Sequence, residues 1–252
     1  MTPDELCEAI DRLAVGDYAS FGGRLVGPED ARPGLPADRL LDTPMREAIE
    51  HRFALRFETD FDVRAVQSIW MKWYLNAFIP PVLMADVLLE QSVSVALPRL
   101  QFIMADDGRV AAVRINATRD SHGEDPFLRL RPLLFEHFAP LIAMWCDRTE
   151  VTARVFWSNV GNTVEAMLRR IEAVSGPSAR LSDVQRLLSE PITSAGEPNP
   201  LFDAVHYVIE EGAPSRRRRV CCLQYLLPDR RFCKACPIEE ARTAHRQEGI
   251  RP

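Results

Sequence analysis

Lysine is nearly missing from this chain. Of 31 basic residues only Lys72 and Lys234 are lysines, and the rest are arginines. With so strong a bias, a single arginine says little about function. Long hydrophobic runs are missing as well. The most apolar stretch, Ala77–Leu89, is interrupted by Pro80-Pro81 and contains Asp86, so it falls short of the ~20 apolar residues of a membrane span. Histidine is scarce, and His51, His122, His137, His206 and His245 show no H-x₃-H metal spacing. Neither G-x-G-x-x-G nor a P-loop occurs, so no nucleotide site is legible. The first residues, MTPDELCEAIDRL, are acidic with no early basic region. That does not read as a signal peptide, and the expected location is cytoplasmic.

The 252 residues, 46% of them hydrophobic, can bury a sizeable core in one large domain or in a domain with a small appendage. Charge is uneven. Residues 213–252 hold ten basic and four acidic residues, a net of +6, which leaves −11 for residues 1–212 of a chain whose total is −5. An acidic body with a basic tail suggests that the tail meets something negative.

Helical periodicity marks residues 2–14, with Thr2 as N-cap and Glu5 three positions on. It also marks 38–57, 151–174 and 181–188. Residues 16–37 read as an irregular loop. Residues 62–90 predict two helices meeting at Pro80-Pro81, because proline removes a helix donor. Residues 130–147 predict a helix kinked at Pro140. Leu100–Met104 and Arg109–Ile115 flank Asp107-Gly108, a hairpin signal, and Val93–Leu97 suggests another strand. Residues 191–200 read as a linker, 204–209 as a strand turning through Gly212 into an arginine run, and 238–246 as a short helix. The expected fold class is α+β: a mostly helical body around a small antiparallel sheet, with a C-terminal four-cysteine module. The expected division is 1–200, the α+β body, and 201–252, the cysteine module.

Four of the six cysteines fall in the segment RRRRVCCLQYLLPDRRFCKACP. The pattern is an adjacent pair, Cys221-Cys222, then ten residues, then Cys233-x-x-Cys236. Clustered thiols in a reducing compartment suit a soft metal, either zinc or an iron–sulfur cluster. Structural zinc usually takes its ligands from C-x₂₋₄-C knuckles, which an adjacent pair fits poorly. Pro237 after the last cysteine is familiar from ferredoxin-type motifs. Both metals, and an unmetallated cysteine patch, stay open on spacing alone.

The segment resembles the C-terminal signature of the FhuF-type siderophore-iron reductases, C-C-x₁₀-C-x₂-C, with basic residues before it, Tyr225 and Pro228 in the loop and Pro237 after it. Ser68–Pro81 (SIWMKWYLNAFIPP) and Phe156–Gly161 (FWSNVG) are similar to that family's body. The resemblance spans roughly residues 60–240. It implies a cytoplasmic ferric-siderophore reductase with one [2Fe–2S] cluster on Cys221, Cys222, Cys233 and Cys236. It also implies a siderophore substrate, hydroxamates favoured, and an external electron donor such as a ferredoxin or a reductase. A redox sensor or electron carrier would share every cysteine feature. A zinc-stabilised binding module is the other alternative, although the acidic body and missing aromatic–basic surface speak against nucleic acid.

Arg216, Arg217, Arg218 and Arg219 abut the pair. They are candidates for substrate or donor docking, against the plainer reading of a solvated basic strand. His206 is a candidate fifth ligand or proton acceptor, against a packed strand histidine. Trp70, Trp73 and Tyr74, near Lys72, are either core or the lining of a substrate cleft, and the same holds for Trp157. Asn159 reads as a side chain bonded to a neighbouring loop. Cys7 and Cys146 read as small buried hydrophobes.

Overall fold

The computed structural model describes residues 1–57, 61–210, 212–228 and 230–238. Helix α1 (Pro3–Leu13) opens with the expected capping box, the Thr2 hydroxyl and Glu5 carboxylate each accepting from the other's backbone N–H. The stretch expected as a loop carries a 3₁₀ turn (Gly16–Phe21) and two short strands, β1 (Leu25–Val26) and β2 (Leu35–Pro36). The next helical stretch begins as a 3₁₀ turn at Ala37–Leu41 and continues as α2 (Thr43–Ala54).

The largest departure from expectation is α3 (Val63–Leu89). It runs unbroken through Pro80 and Pro81, with 20 of its 27 residues buried. A helix-interior proline costs about 3 kcal/mol. Burying one Leu or Phe returns about 1.5–3 kcal/mol, and Phe78, Ile79, Leu83 and Met84 are wholly buried around the pair. Packing on all sides therefore outweighs the loss of two donors.

Strands β4 (Gln101–Met104) and β5 (Val110–Arg114) form the expected hairpin. Its turn uses Gly108 at φ +78, where a side chain would collide with the Ile49 carbonyl of α2. The sheet order is β1-β5-β4-β2, with β1 parallel to β5 and the other pairs antiparallel. In place of a strand at 93–97, β3 (Gln91–Val93) pairs with β6 (Thr118–Asp120) as a separate antiparallel ribbon. The sheet content is thus three small units rather than one.

After α4 (Pro126–Arg129), residues Pro132–Phe138 form a π-helical stretch that runs into α5 (Ala139–Cys146). The irregularity precedes Pro140 rather than falling on it. Helices α6 (Ala153–Ser175) and α7 (Ala179–Ser189) lie where the periodicity places them, with Ser178 capping α7 and Gly176 closing α6 at φ +77. Strands β7 (Val205–Glu210) and β8 (Ala213–Arg218) form the last hairpin, with Val205 opposite Arg218. The helix expected over 238–246 lies, beyond Ile238, outside the described residues.

Helices α3 and α6 are the main packed pair of the core. Gly161 lets the chain approach closely on the far side of α6, since a Cβ there would lie 2.4 Å from Ala204 Cβ. That approach seats β7 and β8 against α6. Two polar clusters are buried in the body. Asp86 of α3 is held by Arg129 at 2.8 Å and Arg180 at 2.9 Å. His137 lies between the Tyr74 hydroxyl and the Val95 carbonyl.

Burial holds the His137 imidazole neutral and pushes its pKa down to about 3. An unfolded histidine titrates near 6.5. Because the folded value is depressed, the unfolded state binds the extra proton as pH falls below about 6.5, and stability is lost down to pH 3. Urea unfolding at pH 7 and pH 4 is expected to show a loss about 3 kcal/mol larger for the wild type than for His137→Gln. An equal loss in both proteins would contradict this.

Candidate metal centre

The four clustered cysteines lie where the end of β8 meets the buried faces of α3 and α6. They come together in a row of successive contacts. Cys222 Sγ is 3.8 Å from Cys233 Sγ, and Cys236 interacts with both Cys233 and Cys221. Among the described residues no three His, Cys, Asp or Glu side chains are arranged to close on a single ion.

The body fixes the first pair from beneath. Ser68 of α3 donates to the Cys222 carbonyl at 2.9 Å. Asn159 of α6 donates to the Ser68 hydroxyl at 3.0 Å and accepts from the guanidinium of Arg218. Ser158 donates to the Val220 carbonyl at 3.4 Å. The backbone after the pair is turned sharply by Leu223, a non-glycine residue at φ +62. That turn aims its N–H at Cys221 Sγ, 3.3 Å away. The second pair is tied to β8: the Arg218 N–H donates to the Ala235 carbonyl at 2.9 Å, and Arg217 donates to the Lys234 carbonyl at 3.0 Å. Between the pairs, Lys72 Nζ donates to Gln224 at 3.0 Å and approaches Cys222 Sγ at 3.5 Å.

Proton sharing splits the thiols. Hydrogen bonds from neighbouring thiols lower Cys233 strongly and bring Cys221 to about 7. The donating partners, Cys222 and Cys236, are raised. Lys72 and Arg218 favour thiolate at the lowered Cys233, as Arg218 does at Cys221. Thiolate is the ligand form for soft metals.

The arginine run divides unexpectedly. Arg216 pairs with Glu165, Arg217 with Glu210 and Arg219 with Asp203. Arg218 is buried to 1% exposure, and no carboxylate pairs with it among the described residues. Its Nε, and that of Arg217, find no partner among the described residues, and neither does His206 Nδ1. His206 is a half-buried β7 residue that lines a small cavity together with Cys236.

Of the remaining candidates, Trp70 and Tyr74 are core, while Trp73 is 40% exposed with the Arg109 guanidinium 4.5 Å from its ring centroid. Trp157 is half-buried. Cys7 and Cys146 lie on α1 and at the end of α5, both thiols raised by burial. His51 and His122 are exposed, His122 being bonded to Glu90, and His245 lies outside the described residues. Sequence reasoning gave no site role to Ser68, Ser158 or Gln224, and took Lys72 only as a neighbour of aromatics. A signal for Lys72 existed: both lysines of an arginine-biased chain sit at the thiols.

The buried Arg218–Asn159 contact carries a checkable energy. Asn159→Leu is expected to cost about 2–3 kcal/mol in urea unfolding, because it strands a buried charge. Adding Arg218→Met should recover part of that cost. Strictly additive losses would show that the two side chains act independently.

Comparison with known proteins agrees with the family resemblance. A ferric siderophore reductase from Escherichia coli (strain K12) is 26% identical over 174 residues, covering 68% of this chain and 65% of that protein. The chain therefore spans just under two thirds of that relative's length. Two structures of the aerobactin synthetase IucA from a hypervirulent pathotype of Klebsiella pneumoniae, one ATP-bound, align at TM-score 0.58 with 10% identity. They cover 80% of this chain and 49% and 50% of theirs, a likeness of fold alone. Residues 68–215, which include the Ser68 and Asn159 supports and end before the cysteines, match the family described as ferric iron reductase FhuF-like transporter, and the chain belongs to that family.

Proposed function

We propose that this protein reduces the ferric iron of a siderophore by one electron in the cytoplasm. The observation that carries the reading is the contact of four thiols, Cys221, Cys222, Cys233 and Cys236, with the Lys72 ammonium and the buried Arg218 guanidinium beside them. The residues fit a [2Fe–2S] cluster. Cys221, Cys222, Cys233 and Cys236 would hold it, since four thiols are the donor set such a cluster takes, and the positive charges of Lys72 and Arg218 would offset its negative charge. When bound, such a cluster takes up and passes on single electrons.

The chain's own residues supply the rest. Ser68, Ser158 and Asn159 hold the first cysteine pair, and β8 holds the second. Lys72 and Arg218 favour added negative charge, which raises a reduction potential. No general base is needed. Ferric iron is held by hard oxygen ligands that bind softer ferrous iron far more weakly, so one electron loosens it. The electron comes from a separate donor, a ferredoxin or a reductase, and residues 201–252 act as the redox module on the body formed by 1–200. Arg216–Arg219 serve this module mainly from within, through their pairs, with Arg218 as the buried counter-charge.

Protein purified without oxygen should be reddish-brown with about two irons per chain. Cys233→Ser should lose or shift the visible spectrum. Lys72→Gln should keep the iron but lower the reduction potential by about 60 mV, the equivalent of one charge-assisted hydrogen bond. Colourless protein carrying one zinc would overturn the reading. So would dithionite-reduced protein that ferric siderophores re-oxidise no faster than buffer does in stopped-flow mixing.

A further inference from the structure

Two cavities share a wall, and the first of them reaches the cysteines. The first encloses about 530 Å³ and touches Cys233. Five cationic side chains line it, Lys72, Arg169, Arg216, Arg218 and Lys234, and no acidic one among the described residues. The second encloses about 630 Å³ and is bounded by α3, α6 and the hairpin, with Trp73 and Arg109 at its side. Asn162 and Arg169 belong to both. Each volume is in the range of a small-molecule site, about 300–1,000 Å³.

The second cavity is lined by Arg24, Arg109, Arg169 and Arg170 and by one carboxylate, Asp17, so among the described residues its lining keeps a cationic surplus. Asp107 is shared by Arg56 and Arg109, and Glu165 by Arg169 and Arg216. Arg24 is held by the Ala111 carbonyl, and Arg170 lies over the Phe21 ring. Neither of these two pairs with a carboxylate among the described residues. The floor offers acceptors too. Pro80 and Pro81 remove the helical donors of the Asn76 and Ala77 carbonyls, and both of those residues line the cavity.

Resting on the reductase reading above, we propose that this double cleft binds the substrate and selects an anionic ferric chelate, one whose iron is held by carboxylate or catecholate oxygens. This departs from the hydroxamate preference that the family resemblance implies. A tris-hydroxamate complex is neutral or positive and gains nothing from a wall on which cations outnumber carboxylates. A chelate of net negative charge is attracted to that wall, and the Cys233 end of the cleft brings it beside the cysteine row. The concave shape favours a small ligand over an acidic protein donor, which would need a broad contact face.

Gallium(III) complexes have the charge of the ferric ones and are not reduced, so they report binding alone. Calorimetric titration of the iron-loaded protein with gallium citrate, a gallium tris-catecholate and gallium desferrioxamine B tests the charge preference. The anionic complexes should bind at least about tenfold more tightly, with affinity falling as salt rises. Arg169 and Arg170 are exposed on α6, so Arg169→Gln/Arg170→Gln should fold normally, with an unchanged visible spectrum. It should weaken the anionic complexes about tenfold or more and leave gallium desferrioxamine B unchanged. Equal affinity for all three complexes would overturn the proposal. So would a double variant that binds gallium citrate like the wild type, including one that instead slows reduction by an acidic ferredoxin. If gallium citrate binds as expected but ferric citrate does not re-oxidise the reduced protein, the cleft stands as an anion-chelate site and the reductase reading fails.

Discussion

A buried guanidinium with no carboxylate partner among the described residues sets the terms for this structure. Arg218 is 1% exposed, and an isolated buried charge is costly unless it is hydrogen-bonded and opposed. Asn159 and Ser158 supply oxygen acceptors, but both are neutral. Among the described residues, the groups beside it that favour negative charge are the lowered thiols of Cys221 and Cys233. The two needs are complementary. Four thiols crowd together only where cations favour their ionised form, and a buried arginine is tolerated only where anionic sulfur faces it. Each makes the other affordable, so β8 and the cysteine segment are one electrostatic unit.

That unit is mounted on the helical core by polar contacts of short reach. Ser68 and Asn159 are buried on α3 and α6, so the Cys222 carbonyl is referenced to the most tightly packed pair of helices. Gly161, two residues beyond Asn159, removes the side chain that would otherwise hold Ala204 and β7 away. The rigid body therefore fixes one face of the cysteine row. The other face is held by backbone bonds from β8. The arrangement suits electron transfer, in which the surroundings tune charge and exclude water while no side chain has to move a proton.

The sequence made the local features legible. Asp107-Gly108 marked a hairpin because its turn needs a positive φ. The apolar stripes of α6 and α7 marked helices because their apolar residues recur at helical spacing. Non-local features were hidden. Strands β1, β2, β3 and β6 span only two or three residues, too few to show alternation, and exist because distant partners complete them. The continuity of α3 was hidden for a related reason: the proline rule describes a helix in isolation, whereas burial along nearly its whole length decides the outcome here. The cysteines were legible as a set, yet their supports were not. Ser68 lies 154 residues from the backbone group it holds, and nothing in the local pattern distinguishes it from a helix serine that packs against a neighbour.

The arginine run shows how a charge motif can mislead in detail. Four consecutive arginines suggest a solvent-facing patch. In a strand, however, alternate residues face opposite sides, and pairing with β7 sends them to different environments. Arg216 reaches Glu165 on α6, Arg217 reaches Glu210 across the hairpin, and Arg218 goes beneath the thiols. Arginine suits these places because its planar fork can serve several acceptors at once. Lysine is used where a compact charge must approach a sulfur from one direction, and Lys72 does so at Cys222. In a chain that otherwise avoids lysine, that choice is informative. The residue type that is least used marks the place where a point charge, rather than a fork, is required.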